Sequence, residues 1–339
     1  PSVLQCDEWT DDKEEGRMSE KKTQSKLKLF ATGHRSEVMM ASVLIIMLVA
    51  LSFISPVFLT VRNVTNILSQ IGFIAILSLG QTFVMLTGGI DLSVGSVLGI
   101  SSMVGVIVMK STGSVALGIM VMLLVGLVVG LVNGVLVAKF DIPAFVVTLG
   151  MMQACRSGDY LISGGHAVNK LPEAYRALAS GEIFTGFRVY YVFIIILYVI
   201  IHWVLSNTKL GRNTYAIGSN AAAARLAGIN TSLYRMLPYI ISGILAAVSG
   251  IIMAARFGAV DPNYGTDYEM STLAAVVIGG TAMTGGKGTI LGTAIGVIFM
   301  GVLSNGLDIT GVSPYWQGVA TGIVLILALL IERLSSKKI

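Results

Sequence analysis

The sequence predicts an all-α polytopic membrane protein of about ten transmembrane helices, some of them broken, with both termini cytoplasmic. Three observations carry this. Only 12% of the 339 residues are charged and 54% are hydrophobic, whereas a soluble domain carries about 25% charged residues. The charges gather at the ends: residues 1–37 hold 15 of the 41 and residues 332–339 hold four, leaving 22 for the 294 between. Apolar runs of the length that spans a bilayer, about 20 residues, recur throughout that interior. A soluble enzyme, a nucleic-acid-binding protein and a disordered chain are excluded on these grounds.

The runs follow in order. Val38–Leu59 carries no charge, and Ile67–Ile90 and Leu92–Met109 are separated only by Asp91. Ser114–Ala138 is uncharged, and the run from Ile142 ends near Gly158 and Arg156. Val189–Ser206 and Leu233–Ala255 are the sixth and seventh. Ser271–Met283 is short for a regular span, and Ile290–Leu307 and Pro314–Ile331 complete the set. Many of the 39 glycines lie inside these runs, as in Gly126, Gly130 and Gly134. Small residues at such spacing let helix backbones approach closely in lipid.

Orientation follows from Lys and Arg, which favour the cytoplasmic side. With ten crossings and the N-terminus inside, inner segments from Met18 onward hold 14 Lys and Arg against seven outside. The net charge of +5 is therefore read as a topological bias rather than a nucleic-acid partner. Residues 38–331 form the membrane domain between a disordered N-terminal tail, 1–37, and a basic C-terminal tail, 332–339. The acidic residues 1–17 read as an upstream extension, because Met18-Ser19-Glu20-Lys21-Lys22 resembles a start followed by a basic head. Cys6 and Cys155 give no disulfide framework, and His34, His166 and His202 share no ligand spacing, so no metal site is expected.

Three stretches stand out. Gly88-Gly89-Ile90-Asp91-Leu92-Ser93 sets a carboxylate beside paired glycines in an apolar region. Such a residue either faces the bundle interior or a water-filled path, or caps the next helix. Gly279-Gly280 through Gly285-Gly286-Lys287-Gly288 approaches a phosphate-loop pattern, but Gly286 intervenes before Lys287. It reads instead as a hairpin between two membrane helices. The third is the loop Asn207–Ser232, where Ala221–Ala224 favours a short helix with Asn220 as its N-cap and Gly228 as its stop. That helix is either a docking knob for a cytoplasmic partner or an inert linker.

These residues resemble the membrane permease subunit of ribose-type sugar ABC importers. Four stretches carry the resemblance: Gly88–Gly95, Leu210–Asn230, Tyr268–Gly288 and Ser304–Ser313. The resemblance implies a permease in the bacterial inner membrane, paired with a second copy or a related permease. It implies two cytoplasmic ATPase subunits, which hold ATP and Mg, and a periplasmic sugar-binding protein that delivers a pentose or hexose. Surrounding lipid is the remaining partner; no nucleic acid and no cofactor of the chain's own are expected. The segment with Gly211, Arg212, Gly218, Asn220, Arg225 and Gly228 is implied to be the ATPase coupling loop. Gly88, Gly89, Asp91, Ser93, Gly279 and Gly280, in the two breaks, are the candidates near the translocation path. Asp159 departs from the family pattern, which has an uncharged residue there.

The chain is thus expected to be a non-catalytic path for a monosaccharide in an ATP-driven importer. The competing expectation is an ion-gradient-driven secondary transporter of a small polar solute, with Asp91 as its coupling site. A membrane enzyme ranks below both, because no catalytic grouping or paired carboxylates occur in the spans.

Overall fold

The computed structural model describes residues 35–184 and 186–336. Its helices are α1 (Arg35–Ile54), α2 (Val61–Leu86), α3 (Val94–Thr112), α4 (Val115–Ala138), α5 (Ala144–Ser163), α6 (Glu173–Ser180) and α7 (Val189–Asn207). They continue with α8 (Lys209–Ser219), α9 (Ala221–Leu226), α10 (Thr231–Phe257), α11 (Tyr268–Ile278), α12 (Ile290–Ile309) and α13 (Pro314–Ser336). Each expected apolar run overlaps one of these helices. Among the described residues six are long and apolar enough to cross a membrane: α2, α3, α4, α7, α10 and α12. α1 and α13 hold shorter apolar stretches, Met39–Ile54 and Tyr315–Leu330, and α11 has 11 residues.

α1 begins at Arg35 and α13 ends at Ser336. Residues 1–34, including the acidic extension and Cys6, lie outside the described residues.

Hydroxyl and amide caps start the helices by accepting otherwise unpaired N–H groups. Thr60 accepts from Asn63, Ser114 from Leu117, Asn230 from Leu233 and Thr289 from Gly292. Left-handed glycines, Gly113, Gly164 and Gly258, follow α3, α5 and α10.

α2 is the central helix. From Ile71 to Leu86 it is buried apart from half-buried Ile74, against α10, α11 and α12. The most extensive helix packing among the described residues is α4 against α10. A Cβ on Gly126, Gly130 or Gly134 would overlap the α10 carbonyl oxygens of Gly243, Tyr239 and Met236, respectively. The glycine spacing read from the sequence is thus a close helix contact. Asn63 and Asn305 exchange reciprocal side-chain hydrogen bonds of 2.8 and 2.9 Å, joining the start of α2 to α12.

Between α5 and α7 the chain forms a small polar subdomain. Strand β1 (Val168–Asn169) pairs antiparallel with β4 (Ala259–Val260), and β2 (Glu182–Phe184) pairs with β3 (Phe187–Arg188). Tyr175 of α6 is fully buried and donates its hydroxyl to the Ile251 carbonyl at 2.9 Å. Many apolar side chains remain exposed on α1, α4, α5, α7 and α13, as a lipid-facing surface requires.

Candidate functional site

The two glycine-rich breaks meet at one junction. α2 ends at Leu86, and Gly88 turns the chain in the left-handed region (φ +79°), which an L side chain rarely adopts. The hairpin between α11 and α12 reaches the same place: Gly286 N–H donates to the Leu86 carbonyl at 2.9 Å. Gly279 ends α11 against the Gly292 backbone, while Gly280 is exposed with φ +85°. Lys287 is exposed, and the hairpin joins two helices where a phosphate loop would join a strand to a helix.

α8 closes over this junction. Gly218 has no room for a side chain, since a Cβ would overlap the Leu86 carbonyl oxygen and crowd the Gly286 nitrogen. A Cβ on Gly286 would fall 2.8 Å from the Ser219 Cα. Tyr215 donates to the Gly288 carbonyl at 2.8 Å, and burial holds its hydroxyl above the ordinary range, in the protonated donor form. The Asn207–Ser232 segment is therefore more structured than one short helix: α8 lies between the membrane helix α7 and the expected helix α9.

The remaining coupling-loop candidates line the same segment. Gly211 sits against the Leu205 backbone in the bend from α7 to α8, and exposed Arg212 donates to the Asn207 carbonyl at 3.2 Å. Asn220 caps α9, its side chain accepting from Ala223 N–H at 2.9 Å. Gly228, with φ +83°, follows the end of α9. Arg225 is exposed and reaches Thr231 at 3.5 Å, and Leu226 is 91% exposed at the tip.

Asp91 lies inside the bundle, 2% exposed. One carboxylate oxygen accepts from the Ser93 N–H at 2.9 Å and its hydroxyl at 2.6 Å; the other accepts from Ser242 of α10 at 2.8 Å. Ser93 in turn accepts from Asn133 of α4 at 2.9 Å. Ser93, rather than Asp91, occupies the N-cap position of α3. The carboxylate thus ties α3, α4 and α10 together, and hydrogen bonds to a charged group contribute about 1.5–3 kcal/mol each. Gly89 packs under Tyr239. Gly88 and Gly89 line a cavity of about 120 Å³ that Asp141 and Arg235, ion-paired at 2.9 Å, also line.

A larger cleft of about 470 Å³ opens between α2, α11, α12 and α13. Its polar side chains include Gln70, Ser271, Ser304, Asp308, Gln317 and Thr321. None of the path candidates lines it. The sequence reading missed it because its polar residues are spread over four helices that each read as apolar. Periodic signals exist on α12, where Gly301, Ser304 and Asp308 share one face, and on α13, where Gly318, Thr321, Gly322 and Leu325 do.

Asp159, fully buried on α5, has no hydrogen-bond partner for either oxygen among the described residues, and a Cβ on Gly99 would lie 2.7 Å from one of them. Its neighbour Arg156 donates to the carbonyls of Pro262 and Tyr264 at 3.0 and 2.8 Å. Cys155 is a buried free thiol. No group of three or more His, Cys, Asp or Glu side chains is gathered for a metal among the described residues.

Residues 63–329 match the family described as branched-chain amino acid transport system / permease component. Ribose import permease protein RbsC of Escherichia coli (strain K12) is 38% identical over 297 residues, covering 85% of this chain and 91% of that protein. Galactose/methyl galactoside import permease protein MglC of the same strain is 34% identical over 310 residues, covering 86% and 92%. The probable ABC transporter permease protein y4mJ of Sinorhizobium fredii is 34% identical over 307 residues, covering 91% and 92%. No solved structure gives a significant match.

Proposed function

The chain belongs to the ABC-importer permease family whose description is the branched-chain amino acid transport system permease component, and from that premise we propose that it forms the translocation path for a monosaccharide. It is a multi-pass protein of the bacterial inner membrane. The family description names amino acids, but relatives at 34–38% identity are named for ribose and galactose, which favours a pentose or hexose. The same relatives favour the ATP-driven reading over an ion-gradient-driven transporter.

In this reading the chain crosses the membrane ten times with both termini cytoplasmic, as the Lys and Arg bias supports. It acts beside a second permease copy or a related permease, within lipid, on two cytoplasmic ATPase subunits that hold ATP and Mg. A periplasmic sugar-binding protein delivers the sugar. The chain supplies no chemistry and binds no cofactor of its own. The segment from Gly211 to Gly228 receives the ATPase, with α9 as the docking knob. Gly88, Gly89, Asp91, Ser93, Gly279 and Gly280 sit at the inner end of the path.

One observation carries the coupling argument: Gly218 of α8 abuts both Leu86 and Gly286, so a push on α8–α9 bears on both membrane breaks at once. A two-state element of this kind moves only when ATP and the binding protein favour its states unequally. The test is uptake of labelled D-ribose and D-galactose into proteoliposomes holding the chain, its ATPase and its binding protein. ATP-dependent uptake is expected; uptake by the chain alone, driven by a proton or sodium gradient, overturns the reading.

A further inference from the structure

We propose that the cleft between α2, α11, α12 and α13 is a binding site for a neutral monosaccharide. The inference rests on the sugar-permease reading and adds to it a place and a selectivity. The cleft, about 470 Å³, falls within the roughly 300–1,000 Å³ usual for small-molecule sites. Four helices contribute polar groups to it. Among the described residues Gln70, Ser304 and Thr321 have no side-chain hydrogen bond. In hydrocarbon such unpaired groups are costly, so the cleft holds water or a hydrogen-bonding solute. Gln317 donates to Asp308 at 2.5 Å, which holds α12 to α13 across one wall.

The charge of the lining sets the selectivity. Asp267 and Asp308 line the cleft, and among the described residues no Lys, Arg or His does. A sugar phosphate, a uronic acid or the carboxylate of an amino acid finds no counter-ion there and meets two carboxylates instead. Hydroxyl groups find amide, hydroxyl and carboxylate partners. The glycines of α13 keep the space open: a Cβ on Gly318 or Gly322 meets nothing within 4 Å.

The test uses proteoliposomes with the complete transporter and labelled D-ribose and D-galactose as probes. Thr321→Val and Ser304→Ala are nearly isosteric, so insertion should persist. Combined, they are expected to lower uptake about tenfold, the scale of one or two lost hydrogen bonds, while binding-protein-stimulated ATP hydrolysis continues. Unchanged uptake in the double variant overturns the cleft assignment. A wild-type transporter that imports neither sugar with ATP overturns the sugar reading itself, which is a different result. Should the double variant fail to insert, Thr321→Cys in a Cys6→Ser background gives a second readout. Its labelling by a membrane-impermeant thiol reagent is expected to slow several-fold with sugar-loaded binding protein. A cysteine that never labels, because lipid or a second copy fills the cleft, overturns the proposal.

Discussion

At the glycine junction, Gly218, Gly279 and Gly286 stand where neighbouring backbone leaves no space for a side chain, whereas in the polar cleft Gly318 and Gly322 face nothing within 4 Å. The same residue closes one region and opens the other. The junction fixes helix ends to one another through main-chain contacts, so it transmits displacement. The cleft surrounds unpaired side-chain polar groups, so it accepts a solute. An importer driven from one side needs both properties, in different places.

The largest effect is expected at Asp91, which accepts hydrogen bonds from Ser93 and Ser242 in the bundle interior. Asp91→Leu leaves those donors without an acceptor and should cost about 1–3 kcal/mol for each one left unpaired, read as a lower melting temperature in detergent. Asp91→Asn should cost less. Equal stability of Asp91→Leu and wild type would remove the carboxylate from its binding role between α3 and α10.

Next comes Gly218→Val. The added carbons press on Leu86 and Gly286, and overpacking costs about 1–3 kcal/mol. The expected readout is sharper than stability: ATP hydrolysis persists while sugar uptake falls. Normal coupling in this variant would sever α8 from the junction.

A paired substitution separates the regions directly. Gly279→Ala should destabilise, because Gly292 backbone occupies the Cβ position. Gly322→Ala, in open space within α13, should be neutral or stabilising by up to about 1 kcal/mol from helix propensity. Equal melting temperatures would erase the distinction between packed and open glycines. Smallest is Arg225→Ala on exposed α9: no change in melting temperature is expected, and a several-fold loss of uptake per ATP hydrolysed.

Much of the architecture is legible in the sequence because lipid imposes simple rules. Long uncharged runs such as Ser114–Ala138 must be helices. Asn220 and Gly228 mark the ends of α9 through local chemistry that needs no tertiary context. α8 is illegible for the opposite reason. Its sequence, with Gly211, Asn213, Thr214 and Gly218, has weak helix propensity, and its helix is stabilised by packing on Leu86, Gly286 and Gly288. Those partners are distant in sequence from Tyr215 and Gly218, the nearest pair, Gly218 and Gly286, being 68 positions apart. The β1–β4 pairing and the Asn63–Asn305 pair are hidden by the same distance. The cleft is hidden because its polar groups are spread over four helices, each of which reads as apolar. At the breaks, paired glycines announce a turn but do not say whether backbone or water lies opposite.

If the junction and the cleft are two ends of one path, the state of the ATPase must alter access to the cleft. The direct measurement is the labelling rate of Ser304→Cys by a membrane-impermeant thiol reagent in the complete transporter, without nucleotide and with the ATPase trapped by ATP and vanadate. The account predicts a change of several-fold between the two states, abolished by Gly218→Val. Equal labelling rates in both states, in a transporter that still imports sugar, would contradict it.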